Sequence, residues 1–191
     1  MKKKALQIII PVLILAVIGG MWFFKNQGTT PTEPDSSSNP SSTQNDPSNL
    51  PEHLQDADFS LAITEAVDFE ALAEYGIPAI IDYGADSCVP CKEMAPVLET
   101  LNEEMYGKAF IKFADVWQYA DAASNVPVQV IPTQVLVNAD GTPFVPSEEL
   151  ASQIQFTMYE HRDTGEHVFT VHQGGLTEEQ MRLILAEMGV E

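Results

Sequence analysis

Two cysteines, in the run Cys88-Val89-Pro90-Cys91, are the residues of this 191-residue sequence whose type and spacing best suit chemistry, and the chain contains no other cysteine. They follow a predicted buried strand, Ala79 to Tyr83, and precede a predicted amphipathic helix, Lys92 to Tyr106. Free N–H groups and the macrodipole at a helix N-terminus favour negative charge, so Cys88 should ionise more readily than a free thiol. Cys91, one turn further on, lies close enough to attack a mixed disulfide formed by Cys88. The pattern therefore predicts thiol-disulfide exchange, with Cys88 as the nucleophile and Cys91 as the resolving cysteine.

Two other readings of the cysteine pair are a permanent disulfide and half of a zinc site. A Cys-x-x-Cys bridge closes too short a loop to stabilise a fold greatly. A closed zinc site needs four ligands, so it would have to recruit two of the four histidines, which are His53, His161, His167 and His172. The pair thus favours redox chemistry, and we expect no metal site.

Short β-rich runs alternate with longer amphipathic runs from Phe59 onward, a pattern typical of an α/β domain. The strands are predicted at Ser60 to Ile63, Ala79 to Tyr83, Phe110 to Val116 and Thr133 to Val137. Helices are predicted at Val67 to Glu74, Lys92 to Tyr106, Gln118 to Ser124 and Thr177 to Met188, the last with a capping box at its start. Apolar residues then alternate with polar ones around Ile154 to Tyr159, before Asp163-Thr164-Gly165 and another β-rich run, which predicts a hairpin.

The N-terminal third differs in composition from the rest. Ala5 to Phe24 is almost wholly apolar and is about as long as a membrane-spanning helix. Because Lys2, Lys3 and Lys4 precede it, residues 1–25 are predicted to be a membrane anchor with a cytoplasmic N-terminus, and a cleaved signal peptide is the alternative. Residues 26–57 are rich in Ser, Pro, Asn and acidic residues and are predicted to be a flexible linker. The folded domain is then expected at 58–191, outside the cytoplasm.

Charge is distributed unevenly. All 28 acidic residues lie after residue 32, together with only five of the nine basic ones. Such a surface repels phosphate backbones and anionic lipid headgroups, which argues against a nucleic-acid partner.

Three separated motifs give the chain a family resemblance. Ile81 to Pro96, with the sequence IDYGADSCVPCKEMAP, resembles the active-site segment of thioredoxins. Ile131-Pro132-Thr133 resembles their cis-proline loop, and Gly174-Gly175-Leu176 matches the segment before their last helix. The resemblance implies a thioredoxin-like α/β fold, a central mixed sheet flanked by helices, with an inserted hairpin before the last strand. The insertion is expected at about 143–167, because this connection is longer than the family needs.

The resemblance also implies roles for residues at matching positions. Asp82 would be a buried carboxylate that helps move the proton of Cys91, and Lys112 would be its partner lysine. Pro132 would be cis and face the sulfurs, and the Ile131 backbone would pair with a substrate strand. Pro96 would kink the long helix, and Gly174 would have a structural role. The expected substrate-binding residues are Ile131, Pro132, Thr133, Val89 and Pro90. No cofactor is expected beyond the redox-active disulfide.

Several positions depart from the family pattern. Ser87 and Gly84 stand where thioredoxins usually carry aromatic residues, and Val89-Pro90 replaces their Gly-Pro. Strongly oxidising relatives place a histidine between the cysteines, whereas Val89 and Pro90 add no charge, so we expect a protein-disulfide reductase. Its partners would be protein thiols and disulfides and a membrane electron donor of the cytochrome-c-biogenesis or disulfide-reductase transporter type. The alternatives are a disulfide oxidase or isomerase, and a copper chaperone with a thioredoxin fold.

Overall fold

A six-stranded mixed sheet organises the computed structural model, which describes residues 46–190. The strands lie in the order β1-β3-β2-β4-β6-β5; β1, β2 and β3 are parallel, and β4, β6 and β5 continue the sheet antiparallel. Their bounds are β1 Ala62–Ile63, β2 Ala79–Gly84, β3 Phe110–Asp115, β4 Thr133–Val137, β5 Thr157–Glu160 and β6 His167–Gln173. The expected mixed sheet is confirmed.

Four α-helices accompany the sheet in the described residues. They are α1 Phe69–Ala73, α2 Val89–Glu104, α3 Glu148–Gln153 and α4 Glu178–Glu187, and short 3-10 helices form at Pro47–Asn49, Glu52–Leu54 and Ala120–Ala123. The predicted capping box is present: the Thr177 hydroxyl accepts from the Gln180 N–H, and the Gln180 side chain accepts from the Thr177 N–H. Two of the free N–H groups at the start of α4 are satisfied in this way.

The two faces of the sheet carry different cores because side chains alternate along each strand. On the α2 face, the paired residues Ile80, Ile111 and Leu136 pack with side chains of α2 and α4. On the opposite face, Ile81 and Val135 pack among the aromatic side chains around Phe110. Asp82 and Lys112 are therefore on different faces, since Asp82 pairs with Phe113 and Lys112 pairs with Ile81.

The folded domain begins earlier than the composition predicts. Leu54 is only 2 % exposed, and Leu50 and Ala57 pack against the core of the opposite face. The predicted linker, residues 26–57, is therefore wrong over residues 46–57, where two 3-10 helices place scattered leucines against the domain. The rest of that linker and the predicted anchor at 1–25 lie outside the described residues.

Between residues 46 and 190, no helix is both long and apolar enough to cross a membrane.

The predicted hairpin is present as β5 and β6, of which β6 is the last strand in chain order and β5 lies at the edge of the sheet. A helix that was not predicted, α3, precedes it. Ser147 caps α3 by accepting from the Leu150 N–H at 3.2 Å, and Leu150 and Ile154 are buried. The segment from α3 to β5 thus adds one helix and one edge strand, with a bulge between Tyr159 and Glu160.

Candidate active site

Cys88 and Cys91 form a disulfide at the N-terminus of α2, with their Cα atoms 5.3 Å apart. Cys88 is the N-cap residue, and the Cys91 backbone N–H points at its Sγ with a nitrogen-sulfur distance of 3.3 Å. Cys88 is 9 % exposed and Cys91 3 %. The N–H and the helix dipole both favour a thiolate on Cys88, the outer of the two sulfurs.

The loop before β4 closes over Cys88. The Ile131–Pro132 peptide bond is cis, and the Ile131 carbonyl oxygen lies 3.9 Å from Cys88 Sγ. Thr133 fixes this loop from inside, because its hydroxyl donates to the Val130 carbonyl at 2.7 Å. An extended segment of another protein that paired with the Ile131 backbone would therefore lie beside the reactive sulfur.

Gly174 supports the same loop from the neighbouring strand. Its N–H donates to the Pro132 carbonyl at 2.9 Å, and its φ of 115° is one that side-chain-bearing residues rarely adopt. Next to it, a Cβ on Gly175 would lie 3.9 Å from the Pro90 carbonyl oxygen. Gly174, Pro132 and Pro90, three of the residues that the family resemblance assigned to the site, thus lie close together.

Apolar side chains are exposed around the disulfide. Val89 is 67 % exposed and Val130 53 % exposed, whereas Thr133 is fully buried. Val89 and Pro90 therefore stand at the surface, as a substrate-binding role requires, and Thr133 can act only through the shape of the loop. Pro96 lies inside α2, which continues unbroken to Glu104.

Asp115, the last residue of β3, was not predicted from the sequence. One of its carboxylate oxygens accepts from the Asp86 N–H at 3.0 Å, and the other accepts from the N–H groups of Trp117 and Gln118. The bond from Asp86 is the main cause that holds the pKa of Asp115 below its ordinary value. Asp115 thereby ties the loop before Cys88 to the loop after β3.

Asp82 is fully buried on the α2 face. Burial raises the pKa of its carboxyl from 3.8 to about 7, and a hydrogen bond from Gln134 partly opposes this rise. Gln134 Nε2 donates to Asp82 Oδ1 at 2.6 Å, and Oδ2 has no hydrogen-bond partner among the described residues. A carboxyl with this pKa can both accept and release a proton near neutral pH.

Asp82 and Cys91 approach each other around Gly84. A Cβ on Gly84 would lie 3.2 Å from Cys91 Sγ and 3.3 Å from Asp82 Oδ2. It would also lie 2.9 Å from the ring of Phe113, closer than real Cβ contacts come. Gly84 therefore leaves room for the Phe113 ring, and Asp82 Oδ2 and Cys91 Sγ both lie close to the space that a side chain at residue 84 would fill.

The predicted pairing of Lys112 with Asp82 is wrong. Lys112 Nζ donates to the carbonyl groups of Asp58 and Ser60 at 2.5 and 2.6 Å and lies 3.7 Å from an Asp58 carboxylate oxygen. Burial lowers the pKa of Lys112, while the Asp58 carboxylate raises it. Lys112 does not pair with Asp82 because the register of β2 and β3 places Phe113, and not Lys112, beside Asp82.

A cavity of about 350 Å³ opens beside Cys91 and is lined mainly by apolar side chains, among them Leu98 and Phe113. No group of three or more His, Cys, Asp or Glu residues within 46–190 is arranged to hold a metal ion. Two of the histidines considered as ligands make other contacts: His167 Nε2 lies 2.8 Å from the Thr170 hydroxyl, and His172 Nδ1 lies 2.8 Å from the Gln155 carbonyl oxygen.

Comparisons with known proteins agree with this site. The family model described as Thioredoxin matches residues 60–157. Thioredoxins of Staphylococcus aureus strains COL and MW2 are each 40 % identical over 95 residues, covering 47 % of this chain and 88 % of the relative.

Solved structures similar to this chain are also thioredoxins. That of Fasciola hepatica is 24 % identical, with 68 % of this chain and 99 % of the other covered and a TM-score of 0.46. That of Malassezia sympodialis is 19 % identical, with 66 % and 89 % covered and a TM-score of 0.43. With the family model, the Staphylococcus relatives and the Cys88–Cys91 pair in agreement, this chain belongs to the thioredoxin family and is a thiol-disulfide oxidoreductase.

Proposed function

We propose that this oxidoreductase is a protein-disulfide reductase that works outside the cytoplasm, tethered to the cell membrane by residues 1–25. The observation that carries the direction of electron flow is the environment of Cys88 Sγ. In the described part of the chain, its one hydrogen-bond donor is the Cys91 N–H, and the residues between the cysteines are the uncharged Val89 and Pro90.

Weak stabilisation of the thiolate favours a reductant. A strongly oxidising protein of this kind holds its reduced form by stabilising the thiolate, which raises its reduction potential to about −120 mV. One N–H and a helix dipole stabilise a thiolate less than a neighbouring cation does. We therefore place the potential nearer the roughly −270 mV of thioredoxin.

The reaction begins from the reduced dithiol. The Cys88 thiolate attacks one sulfur of a substrate disulfide, that disulfide breaks, and the other substrate sulfur leaves and takes up a proton. Asp82 then accepts the proton of Cys91. The Cys91 thiolate attacks Cys88 Sγ, which forms the Cys88–Cys91 disulfide and releases the second substrate sulfur. Two electrons pass from the dithiol to the substrate.

The disulfide must then be reduced again. Outside the cytoplasm this requires a source of electrons across the membrane, and we propose a membrane donor of the cytochrome-c-biogenesis or disulfide-reductase transporter type. The substrates are protein disulfides that present an extended segment to the Ile131 backbone, beside Cys88 Sγ.

The redox potential of the full-length protein tests the proposed direction. We expect equilibration of the Cys88/Cys91 couple against dithiothreitol or glutathione buffers in detergent to give a value below about −230 mV. A value above about −180 mV would make the protein an oxidase or isomerase and contradict the proposal.

The proposed location follows from Lys2 to Lys4 and the apolar run that ends at Phe24. We expect a membrane-impermeant maleimide to label Cys88 in intact cells after treatment with an impermeant reductant, with the labelled protein in the membrane fraction. Labelling only after lysis would overturn the location, and labelled protein in the medium would indicate cleavage of the N-terminal segment.

A further inference from the structure

Asp82 lies in a pocket that supplies one hydrogen bond to its carboxylate. On the α2 face it pairs with Phe113 from β3 and Gln134 from β4, while Met94 of α2 contacts Gln134 and Cys91 of α2 approaches the same Gly84 position as Asp82 Oδ2. Cys91 is the titratable group among these four. The charged Lys112 and the phenol of Tyr83 project from the opposite face of the sheet.

Gln134 supplies that hydrogen bond. It is fully buried in a strand whose other side chains are mostly apolar, and it is the residue of β4 that pairs directly with Asp82. Gln134 Nε2 donates to Oδ1 at 2.6 Å and lies 3.5 Å from Met94 Sδ. The amide therefore sits between the carboxylate and the helix that carries the cysteines.

The two carboxylate oxygens consequently have different surroundings. Oδ1 is engaged by the amide, while Oδ2 is the oxygen within 3.3 Å of the Gly84 Cβ position, a point that also lies 3.2 Å from Cys91 Sγ. A donor fixed on Oδ1 leaves Oδ2 as the oxygen near the Gly84 position that Cys91 Sγ also approaches. The same donor stabilises the ionised carboxylate over the neutral acid.

We propose that Gln134 is a positioning residue for the exchange reaction: its amide orients the Asp82 carboxylate toward Cys91 and sets the pH range in which Asp82 can take the Cys91 proton. The inference rests on the proposed role of Asp82 as proton acceptor. Within the described residues, Gln134 makes no hydrogen bond to Cys88 or Cys91, and it acts on the reaction through Asp82 alone.

The step that depends on Gln134 is a proton transfer. The Cys91 S–H bond breaks, its proton goes to Oδ2, and the electron pair stays on sulfur as a thiolate. The thiolate then attacks Cys88 Sγ in the mixed disulfide and expels the substrate thiolate. Loss of the amide donor raises the fraction of Asp82 that already holds a proton and so slows this step near neutral pH.

Two substitutions separate this role from packing. Gln134→Met keeps an unbranched side chain of similar length and removes the donor. Gln134→Glu keeps the shape and places an acceptor beside Asp82. Gln153→Met, at an exposed position in α3, is the matched control. A hydrogen bond to a charged group is strong enough that its loss should move the pKa by about one unit or more.

The test is carbon NMR of the Asp82 carboxyl in the oxidised full-length protein, followed by the pH dependence of disulfide reduction. We expect the pKa of Asp82 to rise by about one unit in Gln134→Met and by more in Gln134→Glu, and to stay unchanged in Gln153→Met. Turnover should fall about fivefold at pH 7 in Gln134→Met and recover above pH 9. An unchanged pKa in both Gln134 variants, or a loss of turnover equal at all pH values, would overturn the inference. Because the NMR measurement needs no substrate, its result does not depend on whether the protein acts as a reductase or as an oxidase.

Discussion

Replacement of Cys91 by serine should turn the enzyme into a covalent trap for its substrates. Cys88 keeps its place as N-cap residue of α2, so its sulfur can still attack a substrate disulfide. The group that resolves the mixed disulfide is gone, and the reaction stops with the substrate bonded to Cys88. Turnover should fall at least about a thousandfold, because a nucleophile of the reaction has been removed.

Cys88→Ser is the matched variant for this prediction. Cys91 is 3 % exposed against 9 % for Cys88, and the Ile131 carbonyl oxygen lies beside Cys88 Sγ, so we expect Cys91 to be a poor substitute for Cys88 as the attacking group. We expect Cys88→Ser to lose turnover equally and to trap nothing. Non-reducing gel electrophoresis and mass spectrometry distinguish the two outcomes. Equal trapping by both variants would show that the assignment of nucleophile and resolving cysteine is wrong.

Asp82→Asn should stabilise the folded protein at neutral and alkaline pH. The carboxyl titrates near 3.8 when unfolded and near 7 when folded, because burial disfavours its charge. Between these values the folded protein holds a proton that the unfolded chain has lost, so the free energy of unfolding falls as the pH rises. The loss is complete above about pH 7 and amounts to roughly 4 kcal/mol. Asparagine stays neutral and avoids this loss.

Urea unfolding of the oxidised protein at pH 4 and pH 8 measures this effect. We expect the two proteins to differ little at pH 4, and the Asp82→Asn variant to be more stable by up to roughly 4 kcal/mol at pH 8. Asp86→Asn, at an exposed carboxyl, is the control and should change stability by less than about 0.5 kcal/mol. A pH-independent difference would show that Asp82 is not titrating in this range.

The same variant should be slower as an enzyme. An ordinary thiol with a pKa near 8.5 is only about 3 % thiolate at pH 7, so a base that takes its proton can speed the attack of Cys91 by up to about 30-fold. We expect Asp82→Asn to lose turnover within that limit at pH 7 and to approach the unmodified enzyme above pH 9. The ionisable carboxyl of Asp82 thus speeds the reaction and lowers the stability of the folded protein at neutral pH.

Much of the fold was predictable because local signals agreed with the tertiary structure. The buried strand, the cysteine pair and the following helix occur where periodicity placed them, and the capping box at Thr177 is present. Helix α3 was missed because its six residues show too little periodicity. Its signals were a serine cap at Ser147 and two acidic residues in the first turn.

The partners of Asp82 could not be read from the sequence. Whether Lys112 or Phe113 stands beside Asp82 depends on the register of β2 against β3, and a shift of one residue exchanges the faces. Gln134 left a weak signal, a polar side chain within the otherwise apolar β4. The role of Asp115 depends on the meeting of two loops distant in sequence, which periodicity does not report.

The strand added by the hairpin also affects how copies of this protein behave when they are crowded together. Without β5, the seven-residue β6 would expose a long row of backbone groups, the kind of edge at which sheets from different molecules join. The new edge is four residues long, carries an exposed Glu160 and is bent by a bulge, and β1 at the other edge has two residues. Both described edges are therefore poor templates for fibril growth.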